Sequence, residues 1–197
     1  MTHSEPDIKM RIMLAAKKLF SQKGYDGTSI RQICEEACAN VALVSYHFGG
    51  KEGVFQAIFE HFFPHRQMLG VDFNAMSPVD GLTLLIKNIM YFTSRDRQLS
   101  DIIHQEMMMN SPRRSIVMKY LKAVWSEAQK LLIRGKKEGV FSFESSSTTL
   151  LIIKGVALSN KRTYDFEDIY EEDLLGPDEA AEEAVRFILQ GLGVNKP

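Results

Sequence analysis

Residues 29–48 read Ser-Ile-Arg-Gln-Ile-Cys-Glu-Glu-Ala-Cys-Ala-Asn-Val-Ala-Leu-Val-Ser-Tyr-His-Phe, and this stretch decides the fold. Ser29 followed three residues later by Gln32 is a capping box, a reciprocal pair of side-chain bonds that starts a helix. Ile30, Ile33 and Ala37 then fall at i, i+3 and i+7, on one face. The helix is short and ends near Cys38. Asn40 is a fresh N-cap, and Val41 to Phe48 form a second short helix. Two short helices joined by the tight turn Cys38-Ala39-Asn40 make a helix-turn-helix, whose second helix lies in the DNA major groove. Val44 and Phe48 anchor that helix inward, while Val41, Ala42, Leu43 and Ser45 keep its outer face free of bulk.

Outward from this stretch the pattern stays helical. Ile8, Ile12, Ala15, Leu19 and Phe20 line one face of a first helix over about 7–23, which Gly24 ends where a positive φ is wanted. Tyr25-Asp26-Gly27 is a turn. Gly49-Gly50 breaks the second short helix, and Lys51-Glu52 opens another, with Val54, Phe55, Ile58, Phe59 and Phe62 inward until Pro64 kinks or ends it. Residues 70–78 read as a linker. Helical patterns follow at about 79–94, 97–110, 112–138, 146–162 and 178–191, with Ser111-Pro112 as an N-cap and first-turn proline and Gly139 as a stop. The expected fold is all-α: an N-terminal three-helix helix-turn-helix domain over 1–66, and a helical domain over 67–197.

The 197 residues are 45% hydrophobic and 25% charged, enough for a soluble protein with a real core. No apolar run reaches the roughly 20 residues of a membrane span. The start, Met1 to Asp7, is polar and short, so no secretory signal is expected. The only cysteines, Cys34 and Cys38, are four apart on a helix, which disfavours a disulfide, and a cytoplasmic home follows. The net charge is −1, and residues 1–66 hold 8 Lys+Arg against 7 Asp+Glu. Nucleic-acid binding must therefore come from the placement of charges, not from their excess.

The residues around the helix-turn-helix carry a family likeness. Ala15-Ala16-Lys17-Lys18-Leu19-Phe20, Lys23-Gly24-Tyr25, Thr28-Ser29-Ile30, Ile33-Cys34, Ala37, Tyr46-His47-Phe48 and Lys51-Glu52 together resemble the N-terminal domain of the TetR (tetracycline-repressor) family. The resemblance covers about residues 7–66. It implies a ligand-responsive transcriptional regulator, usually a repressor, released from a palindromic operator by a small molecule. It implies phosphate contacts from Thr28, Ser29, Arg31 and Gln32, base contacts from Asn40, Val41, Ala42, Leu43 and Ser45, and backbone contacts from Tyr46, His47 and Lys51. It further implies a homodimer built by the last two long helices and a divergent ligand-binding domain. Two departures stand out. The usual Ala-Gly-Val turn is Ala37-Cys38-Ala39 here, which places a non-glycine where a left-handed residue is wanted, at roughly 1–2 kcal/mol. Val41, Ala42 and Leu43 offer no side-chain hydrogen bonds, so readout leans on thymine methyls and DNA shape.

The ten methionines cluster mostly within 68–118. Met107, Met108 and Met109, with Tyr91, Phe92, His104 and Trp125, are candidates to line an effector pocket. Two apolar stripes suit a dimer interface: Leu150, Ile153, Val156 and Ala157, and Ala181, Ala184, Val185 and Ile188. His61 and His65 flank Pro64 and do not make a metal pair, so neither a metal nor a resident cofactor is expected. The acidic run from Asp165 to Asp173 reads as a solvated loop. No catalytic triad, phosphate-binding glycine loop or zinc-protease motif is present, so enzyme activity is not expected. The competing reading is a dimeric interaction protein with a vestigial DNA domain, and salt-dependent binding to duplex DNA separates the two.

Overall fold

Caps and glycines cut the chain into helices close to where the sequence places them. The structure is a computed structural model that describes residues 7–159, 170 and 173–194. Among the described residues there are helices and no strands: α1 (Ile8–Lys23), α2 (Ile30–Ala37), α3 (Val41–Phe48), α4 (Lys51–Phe62), α5 (His65–Leu69), α6 (Pro78–Arg95), α7 (Arg97–Met109), α8 (Arg114–Lys137), α9 (Ser146–Ala157) and α10 (Pro177–Gly191). The expected acidic loop lies mostly outside the described residues. They form two compact units that interleave along the sequence: Met1–Phe63 with Arg97–Tyr120, and Pro64–Asp96 with Leu121–Pro197. The chain passes from one unit to the other within α8.

In the first unit α1 packs on α2, α4 and α7, and α3 packs on α2 and α4. Phe20, Phe55 and Phe59 are fully buried, each worth about 1.5–3 kcal/mol in burial. Phe55 stacks at 5.9 Å from Phe20 and 5.1 Å from Phe59, which in turn meets Tyr120 of α8 at 5.6 Å. In the second unit α10 packs on α6 and α9. Its core includes Leu82, Leu85 and Ile86 of α6, Leu131 and Leu132 of α8, and Ile153 and Ala157 of α9. Arg134 there fastens the 73–76 loop, donating to the Phe73 carbonyl at 3.0 Å and the Met76 carbonyl at 2.6 Å.

The structure departs from the sequence reading locally. Pro64 ends α4 at Phe62 and then caps the short α5, which the sequence pattern does not announce. Ser111 does not cap α8, because its hydroxyl donates to the Glu106 carboxylate and the helix begins at Arg114. The serine-then-proline start occurs instead at Ser77-Pro78, where the Ser77 hydroxyl accepts from the Asp80 amide at 3.1 Å. Helix α9 ends at Ala157, short of the expected 162.

Candidate nucleic-acid interface

The frame of the helix-turn-helix is set by four local devices. The capping box of α2 is complete: the Ser29 hydroxyl accepts from the Gln32 amide at 3.2 Å, and the Gln32 Oε1 accepts from the Ser29 amide at 2.8 Å. Helix α2 stops at Cys38, whose φ of 49° and ψ of 49° are left-handed. Arg11 of α1 fastens that turn. Its guanidinium donates to the Ala37 carbonyl at 3.1 and 2.9 Å and to the Cys38 carbonyl at 2.7 Å, filling acceptors that a helix end leaves open. Asn40 then starts α3, its Oδ1 accepting from the Ala42 amide at 2.9 Å.

Gly53 closes the frame, a residue that the sequence pattern does not single out. A Cβ at Gly53 would lie 1.7 Å from the Phe48 carbonyl oxygen, so the first turn of α4 presses on the last turn of α3 and only hydrogen fits between them. The one signal for it is a glycine inside an otherwise helical pattern.

On α3 the burial alternates as an eight-residue helix requires. Val44 is fully buried, while Val41, Ala42, Ser45 and Tyr46 share the opposite, exposed face. Tyr46 is 82% exposed and its ring stands edge-on to His47 at 4.9 Å. Leu43 and His47 are half-buried. On α2, Ser29 and Arg31 are exposed, with Arg31 Nε 3.1 Å from the exposed Glu35. Gly50 gives α4 no side-chain cap, so its first amides are open to an anion. Between α1 and α2 lies an open groove of about 470 Å³ lined by Arg11, Leu14, Ala15, Lys18, Glu36, Ala37 and Cys38. Burial pushes the Cys34 thiol up, and the neighbouring Glu35 adds to it.

Two expected DNA contacts are turned inward. Thr28 is buried, its hydroxyl donating to the Gly24 carbonyl at 2.9 Å, so it supports the turn and does not face solvent. Lys51 Nζ donates to the Thr28 carbonyl at 2.6 Å and lies 4.1 Å from the centre of the Tyr25 ring. Burial lowers the pKa of Lys51; Asp26 opposes that in part, and the neighbouring Arg113 adds to it.

The expected dimer stripes need correction. Ile153, Ala157, Ala181, Ala184, Val185 and Ile188 are buried within the chain, and Leu150 and Val156 are half-buried. The unpartnered apolar side chains on these helices are others: Leu151 at 67% exposure, Ile152 and Phe187, with Gly155 facing open space. The seven pocket candidates fall in both units. Tyr91, Phe92 and Trp125 are half-buried in the second, and His104 and Met107 are half-buried in the first. Met108 and Met109 are exposed on the last turn of α7, which suits them poorly for lining a cavity. Among the described residues no group of three or more His, Cys, Asp or Glu is placed to hold a metal ion, and no helix is long and apolar enough to cross a membrane.

Comparison with known proteins places this geometry. A family model for bacterial regulatory proteins of the tetR family matches residues 12–58. The probable HTH-type transcriptional regulator YttP of Bacillus subtilis (strain 168) is 30% identical over 135 residues, 66% of this chain and 65% of that protein. The chain thus aligns with just under two thirds of that relative's length. Among solved structures, a HlyIIR mutant protein with an internal segment replaced by a linker superposes with a TM-score of 0.77 at 25% identity, over 96% of this chain and 98% of that one. AibR in complex with isovaleryl coenzyme A and operator DNA shares the fold, with a TM-score of 0.74 at 17% identity over 92% and 97% of the two chains.

Proposed function

We propose, from the premise that the chain belongs to the tetR family of bacterial regulatory proteins, that it is a ligand-responsive, DNA-binding transcriptional regulator, a repressor that leaves its operator when a small molecule binds. The observation that carries this reading is the exposed Val41, Ala42, Ser45 and Tyr46 face of α3, in a helix pair whose starts are capped by Ser29 and Asn40 and whose stops are the left-handed Cys38 and Gly49. An eight-residue helix with one fully buried anchor and a low outer face fits the major groove.

The face suggests how bases are read. Asn40 has its Oδ1 committed to the Ala42 amide, so it lacks the free amide pair that recognises adenine. Val41 and Ala42 present methyl groups, which match the C5-methyl of thymine. Ser29, Arg31, Tyr46 and the open amides at the start of α4 take phosphates.

The operator is palindromic and the regulator is a homodimer in this reading. Leu151, Ile152 and Phe187 form the apolar face that a second copy covers, related by a two-fold axis. The effector is a small organic molecule held in the second unit, where Tyr91, Phe92 and Trp125 offer half-buried rings. The AibR complex, solved with an acyl coenzyme A and operator DNA together, supports a ligand-binding role for the fold. Release follows from population shift: the effector must bind the DNA-competent and incompetent dimers with different affinity, or nothing moves. The chain works in the cytoplasm, without a resident metal or cofactor and without catalysing a reaction.

The test is enrichment of duplexes from a random pool by the full chain, with Tyr46→Ala as the control. A palindrome enriched by the native chain and not by the control supports the regulator. Replacing thymine by uracil under α3 then weakens binding about fourfold for each methyl removed, near 0.8 kcal/mol. No enrichment at low salt, with a folded protein in hand, would point to an interaction protein with a vestigial DNA domain.

A further inference from the structure

Tyr25 lies in the turn between α1 and α2, and two cations sit against its ring. The guanidinium carbon of Arg113 is 3.9 Å from the ring centre and the Lys51 ammonium is 4.1 Å from it. The ring also packs at 5.2 Å from Phe20 and edge-on at 5.4 Å to Phe55, so it is seated in the α1–α4 core.

Arg113 is itself aimed by two carboxylates. Its Nε lies 3.3 Å from both oxygens of Glu106, and its Nη2 donates to Asp26 at 3.1 Å. Glu106 is 3% exposed and accepts a further bond from the Ser111 hydroxyl. A buried ion pair of this kind contributes little to stability beyond a hydrophobic equivalent, but it holds one geometry and breaks badly if one partner goes. A second tie runs alongside, from Gln105 of α7 to the Ser21 carbonyl at 2.8 Å.

The other cation, Lys51, joins the first residue of α4 to the Thr28 carbonyl, one residue before the Ser29 cap of α2. The starts of α2 and α4 are the two helix ends that face phosphates when the protein binds DNA as proposed. One aromatic ring therefore connects the 106–113 corner to the spacing of those two ends.

We propose that Glu106 and Arg113 are positioning residues for operator binding, holding the starts of α2 and α4 at the separation DNA requires, through Tyr25 and Lys51, without touching DNA. The proposal rests on the DNA-binding reading and adds to it a control point outside the helix-turn-helix. Its physical form is a latched and an unlatched population of the same fold. Only the latched form binds, so unlatching raises the apparent Kd by the inverse of the latched fraction. The bound complex keeps all its phosphate contacts, so the dependence of log K on log salt is unchanged.

The test uses the full chain and the duplex that the native protein enriches. The variants are Tyr25→Leu, which keeps an apolar side chain and removes the aromatic face, Tyr25→Phe, which keeps that face, and the pair Glu106→Gln with Arg113→Met, which leaves no buried charge unpaired. Tyr25→Leu and the pair are expected to weaken binding about tenfold with the native salt slope, and Tyr25→Phe to restore binding to within about twofold. Far-ultraviolet circular dichroism and the unfolding midpoint establish that each variant is folded. Folded variants that bind within twofold of native would overturn the proposal. So would a salt slope shallower by about 0.9 per phosphate, the mark of a side chain that itself neutralises the DNA backbone. If the native chain enriches no duplex, the DNA-binding reading fails and this proposal with it. If it does and the variants bind like native, the proposal alone fails.

Discussion

The α2–α3 pair and the α9–α10 pair each bury one face and expose another, yet only the first announces which is which. In α3 the apolar anchor Val44 lies opposite the exposed Val41, Ser45 and Tyr46, and caps at Ser29 and Asn40 fix where each short helix begins. In α9 the run Leu150-Leu151-Ile152-Ile153 is apolar on every side. Periodicity cannot choose between stripes in such a helix, because either satisfies it. Packing chose Ile153 and Ala157 for the interior and left Leu151 and Ile152 outside. Such a helix buries one face within the chain and leaves the other for the second copy proposed above.

The sharpest way to break this comparison is to charge the outer face. Leu151→Lys with Phe187→Lys is expected to give a folded monomer by sedimentation and to lower operator affinity at least a hundredfold, since a monomer engages a single half-site. A dimer that persists would show that another surface joins the copies. Next in size is a contrast within α9. Ile153→Ala opens a cavity and costs about 2–5 kcal/mol of unfolding free energy at any protein concentration. Leu151→Ala acts only on the concentration-dependent part, which urea unfolding at two protein concentrations resolves. The smallest expected effect belongs to the helix-turn-helix. Cys38 is exposed and left-handed, so Cys38→Gly relieves strain and raises stability by about 1 kcal/mol at most. A denaturation midpoint that is unchanged or lower would mean that the left-handed conformation costs Cys38 little.

Much of the fold is legible in the sequence because its signals are local. The Ser29–Gln32 box, the Asn40 cap, the left-handed positions at Gly24, Cys38 and Gly139, and the apolar faces of α1 and α4 each need only a few neighbouring residues to be read. What is not legible depends on contacts that only the folded chain makes. Gly53 matters because α4 presses on the Phe48 carbonyl. Thr28 and Lys51 turn inward because each finds a carbonyl partner that the turn supplies. The Tyr25, Glu106 and Arg113 cluster joins residues more than 80 positions apart, and no spacing rule points to it. Residues 97–120 join the unit that holds the helix-turn-helix for the same reason, with α7 packing on α1 through neighbours that meet only after folding.

The most direct measurement engages both helix pairs at once. On the duplex enriched by the native chain, about five base pairs, half a helical turn, are inserted between the half-sites and the affinity is measured again. A dimer joined through α9 and α10 that reads successive major grooves with its two α3 helices predicts that binding falls to the level of a single half-site. Affinity unchanged by the insertion would contradict it, because two recognition helices held at a fixed spacing cannot follow a half-site to the opposite face of the duplex.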